Sequence, residues 1–177
     1  MKRSEDKRVY EYFKVDEMFF YGKHREYVEK MWVLNKTQES FFKRLVDLYA
    51  VAAIIGLKTG RKAAEIKDDT DLKRTVQMKQ LTENYSTLIT IMRLVLIFDE
   101  SRGLSLEQRL ESAFTIPEDK ELYEKNMELF NSYARGGIEY LYEKLVIRSL
   151  DIDDDYTDYR ISNIVALLSN DLEKELV

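Results

Sequence analysis

The chain has 177 residues, 45% hydrophobic and 34% charged, a balance that suits one globular domain with a substantial core. It contains no cysteine, which excludes disulfides, thiolate metal sites and thiol nucleophiles, and its formal charge of -5 gives no global electrostatic case for nucleic-acid binding. One proline and six glycines are few for this length and favour long helices over a sheet with frequent tight turns. The expected fold is therefore all-α, a compact multi-helix single domain over residues 1–177.

The first eight residues, MKRSEDKR, are not followed by an apolar run of signal-peptide character, so secretion is not expected. Residues 9–21 mix charges with Tyr10, Tyr12, Phe13, Phe19, Phe20 and Tyr21, without a period that decides between strand, helix and irregular chain. So aromatic a segment has to pack on something, and residues 1–21 are read as an interaction arm for the protein's own domain or for another subunit. A helix follows over 23–34, with Tyr27, Met31 and Leu34 on one face, and the turn formers Asn35, Lys36 and Thr37 end it.

The most constrained stretch is 41–62. Phe41, Leu45, Leu48, Ala52 and Ile55 recur at helical spacing, and a second row of Phe42, Val46, Tyr49 and Ala53 widens the stripe, which predicts a core helix surrounded by others. Gly56 is expected at its C-terminal cap. Lys58, Arg61 and Lys62 follow around Gly60, where positive charge complements the carbonyl end of a helix. Residues 63–75 carry both signs of charge and read as the mobile connection.

Further helices are expected over 75–84 and 86–99, the second bearing Leu88, Ile91, Met92, Val95 and Phe98 inward. Ser105 and Gln108 have capping-box spacing for a helix through Phe114, and Pro117 is expected to open the next. That helix carries Tyr123, Met127, Phe130 and Ala134 on one face, meets Gly136 and Gly137, and resumes with Ile138, Leu141, Tyr142 and Leu145. Two adjacent glycines cost a helix roughly 2 kcal/mol relative to alanines, so a kinked or broken helix, or a close helix crossing, is expected at Gly136-Gly137. After the acidic run 151–158 a last helix is expected to turn Ile161, Ile164, Val165, Leu168 and Leu172 inward. The most hydrophobic segment, 88–98, contains Arg93 and falls short of the roughly 20 residues of a membrane-spanning helix, so a cytoplasmic protein without membrane contact is expected.

Chemistry is sparsely signalled. The turn 56–62 lacks the Gly-Lys-Ser/Thr end of a phosphate-binding loop, because Arg61 follows Gly60 and Ala63 takes the hydroxyl position. Asp151, Asp153 and Asp155 have the spacing of a calcium loop, but Tyr156 stands where glycine is needed and Ser162 where the bidentate acid is needed. Glu65-Ile66-Lys67 with Asp47 has the acid spacing of one nuclease class without the sheet that would make the acids converge. His24 is the only histidine, so it forms no metal pair, and a structural role is expected for it. No catalytic residue, cofactor or metal site is therefore assigned. Contact candidates for a partner or a phosphate are Lys58, Arg61 and Lys62 in the turn, and Tyr10, Tyr12, Phe13, Phe19 and Phe20 in the arm; Gly56, Gly60, Gly136 and Gly137 are structural.

Two segments, 52–62 (AAIIGLKTGRK) and 133–139 (YARGGIE), resemble the small accessory proteins encoded beside DNA phosphorothioation defence systems, the Dnd-associated family of bacteria and archaea. The first is similar to that family's small-apolar helix followed by a Gly-x-x-x-Gly-Arg turn, the second to its Tyr-Ala-x-Gly-Gly-Ile-Glu segment. The resemblance implies a non-catalytic accessory or adaptor subunit of a prokaryotic antiviral defence complex. Such a subunit binds a larger ATPase or nuclease and meets DNA mainly through that complex. The alternative is a DNA-binding regulator in which the core helix and the turn after it form a divergent helix-turn-helix.

Overall fold

A computed structural model describes residues 9–36, 38–68, 70–147 and 159–171. In chain order the elements are β1 (Met18–Tyr21), α1 (Gly22–Met31), α2 (Leu45–Thr59), β2 (Lys73–Val76), α3 (Met78–Glu83), α4 (Tyr85–Phe98), α5 (Leu106–Phe114), α6 (Lys120–Tyr142) and α7 (Tyr159–Ala166). A π-helical turn at Glu143–Ile147 continues α6, and another at Leu167–Asp171 continues α7. The domain is all-α apart from a two-stranded antiparallel ribbon, in which Met18 pairs with Val76 and Tyr21 with Lys73.

The two longest helices, α2 and α6, form the central pair, and α1 and α4 pack against them. Both apolar rows of α2 are used: Leu45, Val46, Leu48, Tyr49, Ala52, Ala53 and Ile55 are all buried. The helix begins later than its apolar pattern, at Leu45, with Phe41 and Phe42 packed against the core from the preceding loop. Its left-handed cap is Gly60 (φ 66°), not Gly56. Gly56 lies inside the helix, where a Cβ would stand 2.0 Å from the carbonyl oxygen of Tyr133. On α6, a Cβ at Gly137 would stand 1.8 Å from the carbonyl oxygen of Ala52, and one at Gly136 would stand 2.2 Å from that of Arg61. The glycines thus let two backbones touch without side chains between them. α6 runs through its glycine pair as one helix and turns irregular only at Glu143, where the joined π-helical turn begins.

The aromatic arm is part of the core. Tyr12, Phe13 and Phe20 are buried, and Phe13 and Tyr49 both meet the edge or face of Phe130, at ring distances of 5.1 and 5.3 Å. Tyr12 stacks on Tyr123 at 5.9 Å and its hydroxyl accepts a 2.7 Å hydrogen bond from the Asn126 amide. Tyr12, Phe13 and Phe20 are therefore corrected from partner contacts to core residues; Tyr10 and Phe19 are half-buried.

Local signals place other boundaries. Ser105 and Gln108 form the capping box of α5. α6 starts at Lys120 with the Asp119 carboxylate accepting from Leu122 N–H at 2.8 Å, so Pro117 precedes the helix instead of opening it. In α4, Leu88, Ile91, Met92 and Val95 are buried as expected, but Phe98 is exposed and Leu96 takes the inward place. Leu34, beyond the end of α1, is exposed. The expected mobile connection is an extended segment pinned to α6 by a 2.9 Å hydrogen bond from Ala63 N–H to the Ser132 carbonyl, and its end forms β2. α7 reverses its expected face, with Ile161, Ile164, Val165 and Leu168 exposed and Asn163 and Leu167 buried. The acidic run 151–158, Leu172 and the turn residue Thr37 lie outside the described residues.

Candidate interaction site at the α2–α6 crossing

The two segments that carry the family resemblance meet at the crossing. After Gly60 the chain turns back, Arg61 N–H donating to the Gly56 carbonyl at 2.9 Å, and runs along α6. There the guanidinium of Arg135, almost fully buried, donates through Nε to the Ala63 carbonyl at 2.8 Å and pairs with Glu128 through Nη2. Arg135 thus holds the extended segment against the helix from below while the glycines set the distance.

Beside this contact lies a polar cluster around Asp99, the buried residue that ends α4. Its Oδ2 accepts from the Tyr133 hydroxyl at 2.6 Å and pairs with the Lys62 ammonium; its Oδ1 accepts from the Ser101 hydroxyl at 2.7 Å. Lys62 also donates to Ser101 Oγ at 2.7 Å and lies 4.8 Å from the centre of the Tyr133 ring. Burial alone would raise the Asp99 carboxyl, but the Lys62 ammonium and the Tyr133 and Ser101 hydroxyls together hold it below its ordinary value. The same burial and the adjacent carboxylate push the Tyr133 phenol far up, so its proton stays in the hydrogen bond.

A second cluster joins α1 to α6. Glu139 Oε1 accepts from His24 Nε2 at 2.9 Å and pairs with Lys23 at 2.8 Å. Burial depresses the His24 pKa, Glu139 offsetting only part of that effect, and the imidazole is therefore neutral with its proton on Nε2. Burial would raise Glu139, yet Lys23 and His24 hold it down.

The basic turn is consequently not a patch of three outward cations. Lys58 is exposed on the last turn of α2, whereas Arg61 donates to Glu143 at 2.8 Å and covers the Tyr140 ring at 4.8 Å, and Lys62 is committed to Asp99. The nominal nuclease acids are likewise engaged: Glu65 with Lys67 at 3.2 Å, and Asp47 with Arg44 Nε at 2.9 Å. Among the described residues no group of three or more histidine or acidic side chains is placed to hold a metal ion. Asp99 was not singled out from the sequence. Its only local signal is that it is the first charge after an apolar helix, which equally marks a helix end. The crossing as a whole can orient and fix one helix pair; its polar groups face each other.

Among the described residues, no helix is long and apolar enough to cross a membrane. Compared with family models, curated proteins and solved structures, the chain matches none.

Proposed function

We propose that the protein is a non-catalytic adaptor subunit that docks on a larger protein of a prokaryotic antiviral defence complex, as the resemblance to Dnd-associated accessory proteins implies. The observation that supports this reading is an apolar surface on α4 and α5. Leu94 and Phe98 on α4, and Leu106, Leu110 and Phe114 on α5, follow helical spacing yet stand in solvent, with Phe98 64% and Phe114 66% exposed. Scattered apolar residues on a surface need no account, but two packed helices each carrying an exposed stripe with an aromatic end have the anatomy of an interface, where aromatic anchors contribute most of the affinity. The polar groups at the crossing, by contrast, are spent on one another, which suits a scaffold.

The chain after α2 runs into an extended segment and β2 instead of a second helix, so a helix-turn-helix at this turn lacks its recognition helix. We therefore keep the reading in which any contact with DNA is made mainly through the partner complex.

Coexpression with the genomic neighbours, followed by affinity purification, tests the proposal. The wild-type chain should copurify with a larger ATPase or nuclease, and the double variant F98E/F114E should lose that partner while its melting temperature stays within about 2 °C, since exposed positions away from special features change stability little. A chain that purifies alone with every neighbour supplied, or a double variant that retains the partner, would overturn it.

A further inference from the structure

A cavity of about 300 Å³ opens between the end of α5 and the start of α6. That is the lower end of the range for small-molecule sites, about 300–1,000 Å³. Tyr12 and Asn126, both buried and hydrogen-bonded to each other, line it together with the polar side chains of Gln108, Ser112 and Thr115, and Arg102 is the one cation among the lining residues. Leu104, Ile116, Pro117 and Leu122 supply apolar wall.

Arg102 is the anomaly in this cavity. Its side chain is 20% exposed, and its one hydrogen bond runs from Nη2 to the Leu96 carbonyl. Its buried Nε, like those of Arg25, Arg93 and Arg109, has no hydrogen-bond partner among the described residues, Asp99 Oδ1 being 3.9 Å away. A guanidinium carries five N–H donors. Its charge is matched only in part, because its 3.9 Å ion pair with Asp99 is shared with Lys62, which holds the carboxylate in direct contact, while the neighbouring Arg109 uses Glu100 at 3.3 Å. Burial accordingly depresses the Arg102 pKa, and Asp99 offsets only part of that. The buried Nε is out of a ligand's reach, so a planar oxyanion in the cavity would meet the terminal amino groups of the guanidinium, which can offer it two N–H donors at once.

We propose that this cavity is a binding site for a small monocarboxylate with a compact apolar body, its carboxylate on Arg102 and its body against Leu104, Ile116 and Leu122. The walls favour such a ligand over inorganic phosphate, which would bring more charge and no apolar surface. Glu111 and Glu118, exposed at the rim, add a further bias against a dianion. The site does not depend on the adaptor reading, and either can fail alone.

Isothermal titration calorimetry of the full chain with phenylacetate, 4-methylpentanoate, phenylacetamide and inorganic phosphate tests it. The two carboxylates should bind, the neutral amide should bind at least about tenfold more weakly, and phosphate should give no heat, because a charge-assisted bidentate contact is worth a factor of roughly ten or more. R102Q should weaken phenylacetate by a similar factor and leave the amide unchanged. Since R102Q could also disturb Asp99, I116D, at a wall residue 54% exposed, provides a second variant that leaves the guanidinium and the core in place and should weaken both carboxylates. Equal affinity for acid and amide, unchanged phenylacetate binding by R102Q or by I116D, preference for phosphate, or no carboxylate binding up to about 10 mM, a concentration that detects even the weakest specific ligands, would each overturn the proposal.

Discussion

At the scale of single residues, Gly137 and Gly60 separate two uses of the same side-chain-free position. A methyl at Gly137 meets Ala52 backbone from its oxygen at 1.8 Å to its Cα at 2.9 Å, and no rotamer change relieves a backbone clash. G137A should therefore cost about 2–3 kcal/mol, the upper part of the overpacking range, and lower the melting temperature by roughly 4–10 °C. Gly60 meets nothing within 4 Å and needs only its positive φ, so G60A should cost nearer 1 kcal/mol. Thermal melts that rank the two the other way would refute the close crossing. His24 sets a pH dependence. Its folded pKa is depressed below the ordinary 6.5, so its contribution is complete above that value and is lost as the pH falls, when the buried imidazole, facing Lys23 and Arg135 as well as Glu139, must charge. Asp99 and Glu139, also depressed, lose their contributions only near and below their ordinary 3.8 and 4.5. Below about pH 6.5, before the carboxylates protonate, the melting temperature should fall, and H24Q should flatten that fall without changing the steeper acid limb; a parallel curve for H24Q would show that another group is responsible.

At the scale of elements, the N-terminal segment tests the difference between an arm and a strap. Removing residues 1–21 takes Tyr12, Phe13, Met18 and Phe20 out of the core, and β1 from beside β2. Core aromatics are worth about 3–5 kcal/mol each on truncation, so the loss should exceed the roughly 5–15 kcal/mol that holds a domain of this kind together. The truncated chain should lose its cooperative melt by circular dichroism; a folded, cooperatively melting product would return this segment to the surface. The same elements show what a sequence can and cannot disclose. The capping box of Ser105 and Gln108 was legible because both partners sit within four residues of one another. Gly56 was misread because a cap glycine and a crossing glycine look alike locally, and what distinguishes them is Tyr133, far along the chain. α7 was misread for a related reason: Ile161, Ile164, Val165 and Leu168 define a stripe by their spacing, but spacing does not say whether a core or solvent lies opposite. β2, with the sequence KRTV, has no apolar alternation and owes its strand to pairing with β1.

At the scale of the whole molecule, the all-α class was readable from composition and helical periodicity, whereas the site was not. Lys62, Tyr133 and the Asp99–Arg102 turn come from three separate places in the chain, and only the folded backbone shows that Arg61 and Lys62 are held by acids of other elements. The crossing has one more consequence. Ala63 and Arg135, which it brings into contact, are 72 residues apart in the chain. Closing a loop of that length costs roughly 4 kcal/mol of chain entropy before any contact rewards it, so α2 and α6 join late, after the local helical turns have formed. During synthesis at about 5–20 residues per second, roughly 4 to 14 seconds pass between the emergence of the two segments. Through that interval α2 displays both apolar rows without the helix that covers them. Chaperone supply and translation speed, more than the strength of the finished core, should therefore govern how much of the chain escapes aggregation in an expressing cell.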